Sequence, residues 1–359
     1  MRTSSNSLTS KAVQRFSKNT TGMLSFLYIL LCGCIAVSCY LISPDNSQNA
    51  NQMHLEIHSK KPGFTAQILE IPSQKKTSFF TKLIYGDQFP ATEILIDSYR
   101  ISGKHLIVKK RKEFDIEHNF PLSIFEEPIE SYIQSKTYYF GTDKFGRDLL
   151  SRILIGTRIS FSIGFIAVLI SLIIGTSIGA IAGYYGGKID ALCMWLINVT
   201  WSTPTLLLVI AITLALGKGV WQVFISVGLT MWVEVARVVR GQVLSVKTNQ
   251  YVEAAKALGF SDFRIVFKHI LPNIAAPIIV ISAANFAASI LIESGLSFLG
   301  IGAQPPIPSW GGIVKDHYSY LLLGKPYLAI LPGMAISTLV MAFVFTGNAL
   351  RDALDVKDL

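Results

Sequence analysis

Residues 253–273 read EAAKALGFSDFRIVFKHILPN and lie between two long apolar runs. The charged or titratable side chains of this stretch are Glu253, Lys256, Asp262, Arg264, Lys268 and His269. Helix–helix connections usually need only about 2–8 residues, so a simple tether would be much shorter and would not need these charges. The length and the charges of the stretch therefore need an explanation other than a simple connection between two apolar segments.

The composition is that of a polytopic membrane protein. The 359 residues are 51% hydrophobic and only 15% charged, with a mean hydropathy of +0.46, whereas soluble domains carry about 25% charged residues. The formal net charge is +9, but the basic residues form no stripe, which favours membrane-orienting loops over nucleic-acid binding. The four cysteines predict no disulfide framework, and none has a histidine at metal-ligand spacing.

Six segments are long and apolar enough to cross a bilayer as helices, for which about 20 residues are needed. They are 23–42, 159–183, 192–216, 219–236, 274–299 and 327–349. The LCGC motif at 31–34 resembles a lipoprotein cleavage site, but Cys32 inside it and the apolar continuation to Ile42 favour an uncleaved span. The predicted fold is all-α with six transmembrane helices.

Residues 43–136 form the one long polar excursion between predicted spans. TEILIDSY and KHLIVKKRK within it have the composition of strands, so we expect a small β-rich insert. With the N-terminus in the cytoplasm, thirteen Lys and Arg residues of the tails and short loops fall inside and seven outside. The insert is not counted, because long translocated segments largely escape the charge rule. This bias places both termini in the cytoplasm and the insert outside, and it also places residues 253–273 inside.

The charged stretch is predicted to contain two short helices joined by a hinge. YVEAAKAL consists of helix formers, Gly259 follows as the left-handed C-terminal residue, and Ser261 is a good N-cap. In the second helix an apolar stripe is predicted at i, i+3, i+4 and i+7, and Pro272 should end that helix. The stripe consists of Phe263, Val266, Phe267 and Ile270. Packing on its own spans, on lipid and in a partner's groove remain open at this point.

Several residues outside the charged stretch are also candidates. The segment GTDKFGRD at 141–148 predicts a turn and then a helix capped by Asp148. Glu293, inside the fifth span, is a functional candidate or a bond to a neighbouring helix, whereas Glu234 should reach the interface from near a helix end. In QPPIPSWG at 304–311 we expect Trp310 at the membrane interface. Pro204 predicts a kink, and glycines 175, 179 and 183 predict close helix packing.

The residues EAAKALGFSDFRIVFKHILP resemble the EAA loop of ABC importer permeases. That pattern is Glu-Ala-Ala, three residues, Gly, nine residues, Ile, one residue and Leu-Pro. The residues that match it in register are Glu253, Ala254, Ala255, Gly259, Leu271 and Pro272. His269 replaces the Ile of the general pattern, as is common in the peptide-importer branch. Segments 140–160, 183–190, 202–212 and 293–311 resemble the second permease subunit of dipeptide and oligopeptide importers, so the resemblance covers roughly 137–359 and does not include the insert.

The resemblance implies a type I ABC importer permease that is not an enzyme and binds no cofactor. ATP would be hydrolysed by partner subunits, in agreement with the absence of a G-x-x-x-x-G-K-[ST] motif from the sequence. The helix Tyr251–Leu258 would be a coupling helix in which Glu253 contacts the ATPase or caps the helix. Ala254 and Ala255 would allow close approach, and Gly259 would supply the bend. A possible extracytoplasmic contact or pathway set consists of Gly141, Asp143, Gly146, Arg147, Asp148, Glu293 and Trp310.

The predicted organisation follows from the spans and the resemblance. It comprises a cytoplasmic tail (1–22), a first transmembrane helix (23–42), the insert (43–136), a permease core (137–350) with its coupling loop (237–273), and a cytoplasmic tail (351–359). The implied partners are a homologous second permease, two ATP-binding subunits, an extracytoplasmic substrate-binding protein and the bacterial inner-membrane bilayer. Dipeptides, longer peptides, nickel chelates and glutathione all remain open as substrates.

Two classes of protein compete with the importer subunit. A self-contained secondary transporter or channel would favour inverted repeats and several ionisable groups at mid-membrane, and we find one clear mid-membrane acid and no repeat. A membrane-embedded enzyme would need a catalytic constellation, but the sequence contains no H-E-x-x-H metal-site motif.

Overall fold

The structure is a computed structural model that describes residues 8–73, 75–110, 117–217 and 219–354. Three residues of the charge comparison, Arg2, Lys218 and Lys357, lie outside these ranges. Arg111 and Lys112, the last two residues of KHLIVKKRK, and parts of both predicted tails also lie outside them.

The described chain is mainly helical. In chain order the helices are α1 (Leu8–Lys18), α2 (Thr20–Ile42), α3 (Phe79–Tyr85), α4 (Ile129–Tyr132), α5 (Leu149–Tyr185), α6 (Gly187–Trp201), α7 (Thr205–Leu216), α8 (Val220–Val246), α9 (Gln250–Ala257), α10 (Asp262–Arg264), α11 (Ala275–Leu299), α12 (Trp310–His317) and α13 (Tyr327–Leu354). The segment Asp262–Leu299 runs as one helix from α10 to α11.

Five helices of the described chain are long and apolar enough to cross a membrane, namely α2, α5, α8, Asp262–Leu299 and α13. The predicted third span is instead the pair α6 and α7, bent by 89°, and counting this pair as one span restores the predicted six. Pro204 precedes α7 with non-helical backbone angles, because its ring and missing N–H are incompatible with a continuous helix. The predicted kink is therefore confirmed and is much sharper than a gentle bend.

The fourth span is longer in the structure than we predicted. We expected 219–236, but α8 continues to Val246. The basic residues that lowered the local hydropathy have partners: the Arg240 guanidinium donates to both carboxylate oxygens of Asp190, at 2.5 and 2.6 Å. Arg237 lies over the Trp201 ring at 3.8 Å. Glu234 consequently lies in the middle of α8, and the prediction that it sits near a helix end is wrong.

The helix pair α5 and α8 packs at very short range through the three predicted glycines. A Cβ atom added at Gly179 would lie 2.5 Å from the carbonyl oxygen of Ala236, and one at Gly175 would lie 2.6 Å from that of Trp232. Gly183 meets Val243 and the Arg240 carbonyl in the same way. These distances confirm the close-packing prediction, since small residues every fourth position let two membrane helices approach.

The insert contains the predicted β structure. Its strands are β1 (Phe64–Ile71), β2 (Thr92–Ser102), β3 (His105–Lys110), β4 (Glu117–Pro121) and β5 (Ile133–Tyr138). They form one antiparallel sheet in the order β4-β3-β2-β1-β5. TEILIDSY lies in the central strand β2, and residues 105–110 of KHLIVKKRK form the neighbouring strand β3. Their buried side chains, including Ile96, Leu106 and Val108, belong to an apolar core.

The chain folds into two compact units. One comprises Met1–Gly33, Ser160–Gln304 and Met334–Leu359, and contains the charged stretch. The other comprises Cys34–Ile159 and Pro305–Gly333, and contains the insert. The second unit is therefore larger than the predicted insert (43–136), because it also includes residues before 43 and after 136.

We predict that Gly179→Leu lowers the thermal stability of the purified permease by several degrees. The new side chain must displace the backbone of α8, and overpacking of this kind costs about 1–3 kcal/mol. The matched control is Gly241→Ala, because a Cβ at Gly241 meets no atom within 4 Å and alanine favours a helix. Equal melting temperatures for Gly179→Leu and the wild type would contradict the close packing.

Candidate functional site

The coupling-helix candidate α9 presents two different faces. Val252 is fully buried and Ala255 is 4% exposed, and both belong to a core that includes Val239 and Val243 of α8. Glu253 and Ala254 lie on the exposed face. The alanine pair predicted to allow close approach is therefore split: Ala255 packs against the helices of its own chain, and Ala254 is accessible to a partner.

The C-terminal end of α9 is a Schellman turn around Gly259. The Phe260 N–H donates to the Ala255 carbonyl at 3.1 Å, and the Gly259 N–H donates to the Lys256 carbonyl at 2.9 Å. Gly259 has φ +76°, the left-handed conformation that this motif requires and that glycine adopts without strain. A Cβ at this position meets no atom within 4 Å, so the requirement for glycine is conformational and not steric.

The hinge after Gly259 is fixed by side chains. Phe260 packs against the apolar core, stacks on the His269 ring at 5.9 Å, and carries the Arg264 guanidinium over its own ring at 4.9 Å. The Tyr184 hydroxyl of α5 donates to the Asp262 carboxylate at 2.6 Å. Ser261 has the extended backbone of an N-cap, without a cap hydrogen bond from its side chain.

The second predicted helix does not stop at Pro272. It contains a wide π-type turn at Ile265–Ile270 and a tight 3₁₀ turn at Leu271–Ile274, and then continues as α11. Pro272 occupies the first turn of the 3₁₀ segment, where the N–H that proline lacks is not required. The prediction that Pro272 ends the helix is therefore wrong, although a break in the hydrogen-bonding pattern does occur there.

The wide turn also changes the predicted apolar stripe. Ile265 and Ile270 are both fully buried, and they lie five residues apart, the hydrogen-bond spacing of a π-turn. Phe263 and Phe267 are 72% and 54% exposed, with their rings 4.3 Å apart. Of the stripe predicted with 3.6-residue periodicity, Ile270 is buried, Val266 is half-buried against the same core, and Phe263 and Phe267 are exposed. Ile265, which takes the place beside Ile270, was not part of the prediction.

The segment 141–148 is a buried loop stabilised by its own charges. Asp143, 0% exposed, accepts hydrogen bonds from the backbone N–H of Phe145 at 2.8 Å and of Arg147 at 2.9 Å, and from Arg147 Nε at 2.7 Å. Arg147 is also buried and donates to the Asn51 side chain at 3.0 Å. Both charged side chains therefore have internal partners.

The ends of the same loop confirm the predicted turn and cap. Asp148 accepts from the Ser151 N–H at 2.8 Å and from the Ser151 hydroxyl, and thereby caps the first turn of α5. Burial raises the pKa of the Asp148 carboxyl. Gly141 and Gly146 have positive φ, and a side chain on either would collide with the carbonyl oxygen of Lys60 or His54, respectively.

Two candidates of the predicted outer set are also buried. Trp310 is 2% exposed and donates from Nε1 to the Ile153 carbonyl at 2.9 Å, so it packs inside the protein, and its position at the depth of the membrane interface stays a prediction. Gly156 makes room for the indole, since a Cβ there would lie 2.7 Å from the Trp310 ring. Glu293 is 0% exposed and accepts from the Ser297 hydroxyl at 2.6 Å, within its own helix α11, so the bond to a neighbouring helix stays a prediction.

Glu234 is a candidate that the sequence analysis placed wrongly. Its exposed carboxylate lines a cavity of about 190 Å³ together with Thr200, Thr203, Thr205 and Thr230. The cavity lies beside the break between α6 and α7. Helix breaks at membrane depth are tolerated where they line a cavity. A longer prediction for α8 would have identified Glu234 as a central charge.

His317 joins α12 to the loop 141–148. Its Nδ1 bonds to the Ile313 carbonyl at 2.8 Å, and its Nε2 accepts from the Lys144 N–H at 3.3 Å, the pattern of a neutral ring. The neighbouring Lys144 and Asp316 side chains form an ion pair at 3.0 Å. Burial lowers the pKa of His317 below its usual value.

A metal-binding group would need several His, Cys, Asp or Glu side chains around one point. In the ranges covered by the structure, no three such side chains come together in this way.

Known proteins similar to this chain are transport permeases. Residues 175–357, slightly more than half of the chain, match the family model of the binding-protein-dependent transport system inner membrane component. The glutathione transport system permease protein GsiD of Pectobacterium atrosepticum is 41% identical over 223 residues, 62% of this chain and 74% of that protein. The dipeptide permease DppC of Alkalihalophilus pseudofirmus is 42% identical over 62% of this chain and 73% of its own length. The oligopeptide permease OppC of Haemophilus influenzae is 42% identical over 62% and 71%.

We predict that acid destabilises the unit that contains His317. Because the folded pKa is lowered, the unfolded chain binds the proton more readily, so stability is greatest above the unfolded pKa of about 6.5 and is lost as the pH falls below it, by up to about 1.4 kcal/mol per pH unit. Melting temperatures between pH 8 and pH 5 measure this loss. In His317→Gln the fall should be shallower, and identical slopes for the variant and the wild type would contradict the assignment.

Proposed function

Because the chain belongs to the family of binding-protein-dependent inner-membrane transport components, and is an ABC importer permease rather than an enzyme, we propose that it imports short peptides as one of two permease subunits. The observation that carries this proposal is the geometry of α9, which is exposed on one face and packed into the helical unit on the other. The names of the relatives include dipeptide, oligopeptide and glutathione permeases. Glutathione is itself a tripeptide, so short peptides are the common class.

The family is defined by its dependence on a binding protein and implies partner ATPases that hydrolyse ATP. Our finer proposal is an assembly of this chain, a homologous second permease, two ATP-binding subunits and an extracytoplasmic binding protein. This chain would bind no cofactor. The protein is a multi-pass component of the inner membrane, and we propose that both termini and α9 lie in the cytoplasm, supported by the distribution of Lys and Arg.

The role of α9 in this proposal is mechanical. Its buried residues Val252 and Ala255 share one core with α8 and with Ile265 and Ile270, so a displacement of α9 moves the attached helices with it. ATP-driven closure of the partners would then switch the permease between two rigid-body states. Reversal of such an equilibrium from 1:99 to 99:1 requires about 5.5 kcal/mol of differential binding.

Individual residues of the loop receive distinct roles. We assign partner contact to Glu253 and Ala254, attachment to the core to Ala255, and the bend to Gly259. Leu271 packs against the core and Pro272 is exposed in the tight turn, so these two residues would fix the direction in which the helix enters the membrane. The exposed pair Phe263 and Phe267 extends the accessible surface beyond α9.

The residues of the outer set receive mainly a supporting role. Asp143, Arg147 and Asp148 are buried, so we propose that they hold the loop in shape and that contact with another protein would be made by its partly exposed residues, Lys144 and Phe145. Trp310 and Glu293 would likewise stabilise the helix ends. For the pathway we propose the face of α8 that carries Glu234, because a central carboxylate in a threonine-lined cavity is suited to a polar substrate.

We predict that Ala254→Trp reduces ATP-driven uptake by at least about tenfold, equivalent to about 1.4 kcal/mol of lost docking. The ring would occupy the face that approaches the ATPase and should leave the melting temperature of the permease unchanged. Ala255→Trp should instead lower that melting temperature, because Ala255 is buried. Ser102→Trp, at an exposed position of the insert, is the control for bulk. Normal uptake and ATPase co-purification with Ala254→Trp would contradict the docking assignment.

The proposed function itself is tested by reconstitution of the whole assembly in liposomes. We expect uptake of a labelled dipeptide or glutathione that requires both ATP and the binding protein, with ATPase subunits retained on the permease during purification in mild detergent. A cysteine at Ala254, in a chain lacking Cys32, Cys34, Cys39 and Cys193, should be labelled from the cytoplasmic face. Uptake driven by an ion gradient without ATP would establish a secondary transporter and refute the proposal.

A further inference from the structure

The short helix α3 (Phe79–Tyr85) of the insert exposes an unusual amount of apolar surface. Its exposed large side chains are Phe79 (61%), Phe80 (73%), Ile84 (54%) and Tyr85 (56%). In this seven-residue helix no residue is buried. Contiguous apolar patches of this kind on a polar domain mark interaction surfaces, so the question is what covers α3.

Arg158 of α5 fixes the position of α3 relative to the membrane helix α2. Its guanidinium donates to the Ala36 and Val37 carbonyls of α2, at 2.7 and 2.8 Å. The same group donates to the Leu83 and Ile84 carbonyls at the end of α3, at 2.9 and 2.6 Å. One planar cation therefore joins the C-terminal turn of α3 to the backbone of a membrane span, in the position where a positive charge also stabilises a helix end.

Arg158 binds α2 at Ala36 and Val37, before the last residue of that helix. Ala36 is six residues before Ile42, the last residue of α2, a distance of about 9 Å along a helix. The hydrocarbon core is about 30 Å thick, and α2 has 23 residues, or about 34 Å. The end of α3 is therefore level with the outer part of the apolar segment of α2, and not with the water beyond it.

The surface of α2 at this level is itself apolar and accessible. Val37, Leu41 and Ile42 are 63%, 48% and 50% exposed, as expected for side chains that face lipid. The exposed apolar side chains of α3 add to this lipid-facing surface at the same depth. The occupant that covers α2 at this level is therefore also available to cover α3.

Charged residues near α3 fit a membrane interface as well. Lys75 and Lys76 precede the helix and are exposed, and Lys75 lies over the Phe89 ring at 5.4 Å. The acid beside the helix, Asp87, is paired with Lys82 at 3.7 Å and accepts from the Thr77 hydroxyl at 2.7 Å. Lysines beside aromatic and aliphatic side chains are typical of segments that lie in the headgroup region and meet anionic lipids.

We propose that α3 is an interfacial membrane anchor: its Phe79, Phe80, Ile84 and Tyr85 side chains insert into the lipid leaflet on the side of the insert, and Arg158 fixes the depth. The occupant is lipid. The anchor gives the insert a third attachment to the membrane, besides the two chain connections to α2 and α5, and restricts its tilt.

The proposal is tested by spin labelling of the complete importer in nanodiscs that contain anionic lipid. A nitroxide is attached to Phe80→Cys, with Tyr85→Cys as a second position, in a chain that lacks the four native cysteines. The matched control is Ser102→Cys, because Ser102 is an exposed residue at the end of β2 in the same insert. We expect the ratio of oxygen to nickel-chelate accessibility at residues 80 and 85 to exceed that at residue 102 at least about threefold, as for a side chain immersed in lipid.

Two outcomes overturn the proposal. Nickel-chelate accessibility at residues 80 and 85 equal to that at residue 102 would place α3 in water. Shielding from both reagents that disappears when the binding protein is omitted would identify the face as a protein-docking surface. Arg158→Lys, which keeps the charge but cannot serve four carbonyls at once, should reduce the ratio at residue 80, and an unchanged ratio would refute the anchoring role of Arg158.

Discussion

The apolar contact between α9 and the membrane helices is the interaction on which the coupling that we propose depends. Full burial of one valine contributes about 1.5–3 kcal/mol, less than the roughly 5.5 kcal/mol needed to reverse a two-state equilibrium. Val252 alone could therefore not transmit the switch. The core does not rest on Val252 alone, since it continues through Ala255, Ile265 and Ile270 to the valines of α8, and together these contacts exceed the requirement. The loop can then act as part of the membrane domain and not as a flexible connection.

The wide turn at Ile265–Ile270 makes this core possible. In a regular α-helix two residues five apart point about 140° away from each other, so they could not both enter one core. The π-type turn brings Ile265 and Ile270 to the same side, and the following 3₁₀ turn accepts Pro272 without a lost hydrogen bond. The local departure from ideal geometry thus has a packing reason, and it leaves Phe263 and Phe267 exposed in the segment that follows α9.

The sequence predicted those features that depend on local chemistry. Gly259 required a left-handed turn, Asp148 a helix N-terminus and glycines 175, 179 and 183 a close helix contact, and each is present. The errors concern residues whose environment is set by distant parts of the chain. The end of α8 was missed because Arg240 lowers the hydropathy, and its partner Asp190 lies fifty residues earlier.

Trp310 and Glu234 show the same limitation: the surroundings of each side chain depend on residues that are distant in the sequence. An indole in a proline-rich loop is favourable at the interface, but Gly156 opens a site in which it is buried and hydrogen-bonded to Ile153. Neither Gly156 nor the Ile153 carbonyl is adjacent to Trp310 in sequence. The position of Glu234 followed from an incorrect helix end, so a single misplaced boundary turned a central carboxylate into a peripheral one.

Burial explains why Asp143 and Arg147 of the loop 141–148 are suited to support and not to recognition. Removal of one partner of a buried ion pair costs about 3–5 kcal/mol, and Asp143 and Arg147 are each bound by several groups of their own unit. A partner protein that recruited either side chain would have to break these bonds first. Lys144 and Phe145 are partly exposed, and Lys144 is already paired with Asp316 on the surface, where an ion pair contributes at most about 1 kcal/mol. A contact made there could exchange one weak surface pair for another and leave the loop intact, so recognition and structural support can coexist in the same eight residues.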